Sequence, residues 1–182
     1  MTNKADSPTA KKYGYWENSF PMDLEMVRQE SSWFFWTVEI WRYREDPLRP
    51  MTYTAPDGTQ YRPAPDIETD FGSIPPFLGI LPSLGRERFP GPYINHDSSC
   101  QDGGLWARRV GEAEFHFVKM PRVQCDRLLR LMVLAWGGNI MAADAIFSGV
   151  RVGAVFMKHP TNGRSSKNSC RHLPINSILC KA

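Results

Sequence analysis

The sequence has 182 residues, 42% of them hydrophobic and 23% charged, with a formal net charge of +3. Length and apolar content fit one domain with a core of its own and exclude a chain disordered throughout. No charged-then-apolar leader ending in small residues is visible, so a secretory signal is not expected.

Residues 1–12 are polar and lysine-bearing, and are expected to be disordered on their own. Residues 13–36 mix charges with Tyr13, Tyr15, Trp16, Phe20, Trp33, Phe34, Phe35 and Trp36, a composition that docks on a core. The region 1–34 is therefore read as an N-terminal arm. From Trp33 to Arg44 the chain is rich in aromatic and β-branched residues, and Val38 and Ile40 alternate with Glu39, which predicts a strand. Ala55-Pro56-Asp57-Gly58 is a turn, because proline presets φ and glycine accepts a positive φ. Flanked by Met51–Thr54 and Thr59–Arg62, it predicts a β-hairpin that Pro63–Pro65 ends.

Helices are predicted next. A short one holds parts of 92–100, and another begins near Gly111, with Glu112 and Glu114 on its solvated face. Pro121 opens a longer helix whose apolar side is Val123, Leu128, Leu131, Met132 and Ala135, closed by Gly137-Gly138. Asn139 caps a final helix in which Ile140, Ala143, Phe147, Val150 and Ala154 recur at helical spacing. The short connection makes the last two helices antiparallel neighbours. Strands first and helices after predict an α+β fold. In it, an N-terminal β-hairpin or small antiparallel sheet packs on about three C-terminal helices in one core domain, 35–157.

Leu128 to Met157 is the most apolar stretch, but Arg130, Asn139, Asp144 and Arg151 interrupt it, so core helices are expected rather than a membrane span. Cys100, Cys125, Cys170 and Cys180 form no C-x-x-C pair and read as free thiols. Residues 158–182 hold five basic residues and no acid, so with the whole chain at +3 the remainder carries a net −2. This basic tail suits docking on another chain or on nucleic acid. No aromatic-basic interleaving or base-reading motif supports the latter.

Two polar clusters stand out: Thr69-Asp70-Phe71-Gly72-Ser73-Ile74-Pro75 and Asn95-His96-Asp97. With Asp126 they suggest a site. His96, Asp97 and Asp126 could hold one divalent ion (zinc, manganese or magnesium), which would activate water. Without metal, His96 could be a general base oriented by Asp70 or Asp126, with Ser73 as nucleophile. The structural alternatives are a cap for Asp70, Ser73 or Asp97, and an i,i+4 surface ion pair of Asp126 with Arg122 or Arg130. Arg151, on the apolar side of its helix, would need Asp97 or Asp126 as a partner. A packed Arg–Asp–His network would then account for all these residues without catalysis. His116, between Phe115 and Phe117, is expected at the core or its boundary.

Taken together these segments resemble the uncharacterised phage and prophage family numbered 1353 among domains of unknown function. Its pattern is a strand-rich start, then T-D-F-A-S-I-P, H-D-x-L-Y, A-D-x-x-F on a helix, and a last helix ending in V-R-x-x-G. The matching residues here are Thr69–Pro75, His96-Asp97, Cys125-Asp126, and Val150-Arg151 with Gly153 close behind, over roughly 35–155. The chain departs from the pattern at Gly72, Pro76, Ser99-Cys100 and Leu129. The resemblance implies a phage-encoded accessory protein, virion- or tail-associated, made in the host cytoplasm and then carried in the virion. Its partners would be other phage structural proteins, with no membrane. The alternative is a metal-dependent hydrolase of peptidoglycan or a phosphoester, built on Asp70, His96, Asp97 and Asp126.

Overall fold

The computed structural model describes residues 6–31, 37–71 and 88–156. Helix α1 (Pro8–Tyr13) forms because Ser7 caps it, accepting from the Ala10 N–H at 3.0 Å, with proline in the first turn. Strand β1 (Tyr15–Glu17) follows, then the long pair β2 (Asp23–Ser31) and β3 (Thr37–Arg44). Short strands β4 (Thr52–Thr54), β5 (Gln60–Arg62) and β6 (Glu68–Thr69) precede helix α2 (Pro90–Asp102). Strands β7 (Gly104–Arg108) and β8 (His116–Lys119) lead to helices α3 (Arg122–Ala135) and α4 (Ile140–Phe156).

The strands make two antiparallel sheets, one in the order β1-β4-β5-β7-β8 and one in the order β2-β3-β6. The α+β expectation holds, with more sheet than the sequence suggested. The segment read as an arm supplies α1, β1 and β2, which join both sheets. The predicted hairpin is present. Gly58 takes φ +83° at its turn, and Asp57 Oδ1 accepts from the Thr59 N–H at 2.9 Å. No helix begins at Gly111: 109–115 is the connection of the β7–β8 hairpin, and Glu112 and Glu114 lie on it.

Among the described residues no helix is long and apolar enough to cross a membrane. Helix α3 ends as expected, in a Schellman motif where the N–H groups of Gly138 and Gly137 bond to Val133 O at 2.9 Å and Leu134 O at 3.2 Å. Asn139 Oδ1 caps α4 through the Ala142 N–H at 2.8 Å.

The core lies between the inner face of the five-stranded sheet and helices α2 and α3. Trp16, Tyr53 and Leu105 point inward from the sheet and meet Tyr93, Leu129, Met132 and Val133. Trp16 stacks edge-on against Trp136 at 4.9 Å and donates its indole N–H to Met132 O at 3.2 Å. A buried aromatic with its polar end satisfied in this way fixes β1 against α3.

Gly14 lets the chain between α1 and β1 pass close to β4. It sits at φ +85°, and a Cβ there would lie 2.1 Å from Thr54 O. Gly14→Ala should therefore lower stability well beyond the roughly 1 kcal/mol of an ordinary glycine-to-alanine conflict. Urea unfolding should show the midpoint fall without a change in slope. An unchanged midpoint would mean that β1 does not need this approach.

Candidate functional site

Helix α2 is the unusual element, because ten of its residues, Pro90 through Ser99, are buried although Asn95, His96, Asp97, Ser98 and Ser99 are polar. Buried polar groups must find partners, and their partners tie α2 to its surroundings. Ser98 Oγ accepts from the Ala64 N–H at 2.8 Å. Ser99 Oγ donates back to His96 O at 2.7 Å. Thr69 Oγ1 donates to Asp97 Oδ2 and accepts from the Phe71 N–H at 2.8 Å. Gln101 Nε2 donates to Glu68 O at 2.7 Å. Asn95 Nδ2 donates to Gly91 O at 3.2 Å, and Asn95 Oδ1 is the one buried side-chain polar atom among the described residues with no hydrogen-bond partner.

At the centre of the site is Asp126 on α3, fully buried. His96 Nε2 on α2 donates to its Oδ1 at 2.9 Å. Arg122 Nε, one turn back on α3, donates to the same oxygen at 3.1 Å. Arg151 Nη1 on α4 donates to Oδ2 at 3.3 Å. One carboxylate thus joins all three C-terminal helices. Arg151 has the aspartate partner expected of it. Two other expectations need correction. Asp126 is at the core rather than on the surface, and Arg130 pairs with Asp144 instead.

His96 is nearly enclosed and has a second carboxylate, Asp97 Oδ1, 3.8 Å from Nδ1. Burial works to lower the imidazole pKa, but the contacts of Asp126, Asp97 and Cys100 outweigh it and hold the ring well above its ordinary value. Burial likewise pushes the Asp126 carboxyl up, and the His96 and Arg122 charges prevail and hold it below the usual carboxylate range. Both shifts favour the charged forms, a protonated imidazole facing a carboxylate.

Asp126 is therefore the residue that orients His96. Asp70 is half-buried just past Thr69, at the end of β6, and it is Thr69 that reaches the α2 carboxylate. Ser73 lies outside the described residues, as does the 158–182 tail. His96, Asp97 and Asp126 do come together, but as hydrogen-bonded partners and not as metal ligands. His96 Nε2 is turned onto Asp126, both Asp126 oxygens are occupied, and Asp97 Oδ2 is bonded to Thr69. Among the described residues no group of three or more His, Cys, Asp or Glu side chains is placed to hold an ion. The donor set does not fit the expected divalent metal.

Cys100 belongs to the site and was not expected there. Its Sγ lies 3.6 Å from His96 Nε2, and the i,i+4 spacing on one helix was the available signal. His116 is exposed on β8, 3.5 Å from Glu112, rather than at the core.

No family model, no curated protein and no solved structure matches the chain.

The network gives stability a definite pH dependence. With its folded pKa raised, His96 contributes stability that is fully present below about pH 6.5 and is lost as pH rises through the folded value. Asp126, with its folded pKa lowered, contributes above about pH 3.8 and loses that contribution as pH falls through its folded value. Melting temperatures should form a plateau between the two and decline on the alkaline side, and His96→Gln should flatten that decline. Asp126→Asn should cost about 3 kcal/mol by leaving buried positive charge uncompensated. Arg151→Gln should cost under about 1 kcal/mol, because that guanidinium is 44% exposed. Equal losses in the two variants would argue against Asp126 as the hub.

Proposed function

We propose that this chain is a phage-encoded accessory protein, associated with the virion or its tail, whose Asp126 network is a structural clasp. The observation that carries the clasp is the saturation of Asp126, which holds donors from α2, α3 and α4. A general base must be neutral at its working pH to take a proton, whereas the contacts of Asp126 and Asp97 raise the His96 pKa and favour its charged form. The phage assignment rests on the resemblance of Thr69–Pro75, His96-Asp97, Cys125-Asp126 and Val150-Arg151 to that family's pattern. In this role the core is a rigid support and the surface makes the contacts. Localisation would follow assembly, first in the host cytoplasm and then in the particle.

One observation favours a second reading. Asp126 fixes His96 through Nε2 and leaves Nδ1, 3.8 Å from Asp97 Oδ1, as the nitrogen that could take a proton, which is how a histidine dyad is oriented in a hydrolase. A peptidoglycan or phosphoester substrate would then meet Nδ1. The raised pKa of His96 ranks this second.

Mass spectrometry of purified particles should find the protein at fixed copy number. Absence from particles would overturn the virion role. Hydrolysis of cell-wall material that disappears in His96→Ala, with the near-UV spectrum still native, would replace the clasp with the dyad.

A further inference from the structure

The five-stranded sheet has a second face, turned away from the core. The strand register sets Arg62 opposite Trp106, and Trp106 opposite Phe117, so these three side chains form a row across β5, β7 and β8. Beside it, Gln60 on β5 pairs with Arg108 on β7, and on the other side Gly104 pairs with Lys119. Side chains opposite one another on antiparallel strands share a face. Aromatic and basic residues that are scattered along the sequence are thus interleaved in space.

Trp106 and Phe117 pack edge to face at 6.1 Å, and Phe117 is 38% exposed. Gly104 makes room for that ring, since a Cβ there would lie 2.9 Å from Phe117 Cζ. The β7–β8 connection brings Phe115 over two guanidinium groups, Arg62 at 3.9 Å and Arg108 at 4.8 Å. Arg62 Nε donates to Thr52 Oγ1 at 3.0 Å, and Arg108 Nε donates to Gln60 Oε1 at 3.0 Å, so both are held in place by neutral partners.

Among the described residues both arginines make their side-chain hydrogen bonds to neutral groups. Glu45 and Glu17 act on Arg62 only at longer range. Burial pulls against the Arg62 charge, and so does the neighbouring Arg108. Two half-buried guanidinium groups stacked on one ring, with Glu45 and Glu17 acting on Arg62 only from a distance, form a site that suits an anion.

We propose that this sheet face binds single-stranded nucleic acid, with phosphates on Arg62, Arg108 and Lys119 and a base stacked on Trp106 and Phe117. Stacking needs an exposed ring and tolerates any base, while the cations track the backbone. The row from Arg62 to Phe117 crosses two strand spacings, about 10 Å, enough for a base and its flanking phosphate. A duplex hides its base faces and cannot use the rings. The site is independent of the Asp126 clasp, and success or failure of either leaves the other standing.

The test is fluorescence anisotropy of a labelled 12-nucleotide oligothymidylate with the full chain, titrated at several salt concentrations. The expected result is binding that weakens with salt and is at least about tenfold tighter than for a duplex of the same length. Phe117→Ala, an exposed edge-strand change, should weaken binding about tenfold and leave the salt slope unchanged. Lys119→Gln and Arg108→Gln should each make the slope shallower by about 0.7, the value for one phosphate contact on a single strand. No binding, equal affinity for duplex, or variants that bind as the parent does would each overturn the proposal; the last would move the contact to the basic tail.

Discussion

A polar helix buried on every side is the constraint on which this fold depends. Helix α2 brings an imidazole, a carboxylate and two serine hydroxyls into the interior; Ser99 is satisfied within the helix, and His96, Asp97 and Ser98 find partners outside it. Those partners fix the other elements: Ala64 and Thr69 from the strand side, Asp126 from α3, and through Asp126 the arginine of α4. Hydrophobic packing of Leu129, Met132 and Val133 supplies most of the stability without direction. The polar contacts supply direction, since a carboxylate accepts only where its lone pairs point. A shift of α2 by one residue would break each of these contacts together.

Much of this architecture was legible in the sequence. The Asp57-Gly58 turn, the Gly137-Gly138 helix end and the Asn139 cap are local events, decided by backbone chemistry within a few residues. An aspartate partner for Arg151 was also expected, although the side chain is exposed and reaches Asp126 from the surface rather than from an apolar side. What could not be read was non-local. Residues 104–119 carry weak local preferences, and pairing with β5 makes them a hairpin rather than a helix. Asp126 looked like a surface i,i+4 partner because Arg122 stands at that spacing; its burial is decided by α2, 30 residues away. Among the described residues His96, Asp97 and Asp126 do not fit the metal expectation for a similar reason. Residue type allowed ligation, but the nitrogen and oxygens had turned toward one another.

The same distinction separates the two faces of the larger sheet. Its inner residues follow hydrophobic alternation and could be listed from sequence as core. The outer row of Arg62, Trp106 and Phe117 comes from three strands spread over more than fifty positions, and register alone assembles it. A search for interleaved aromatic and basic residues along the chain passes over it. The molecule therefore combines a directional polar interior with an exposed face whose chemistry exists only after folding.

Trp16 carries a further consequence. Its indole bonds to Met132 O, 116 residues away, and its ring lies against Trp136. A ribosome makes the chain from the N-terminus, so the tryptophan emerges long before α3 exists to receive it. At roughly 5–20 residues per second, the delay lasts many seconds. During that interval a large apolar ring and the unpaired β1 edge face solvent, the condition under which nascent chains associate wrongly. The contact that closes the finished core is thus also one that the growing chain must wait longest to make.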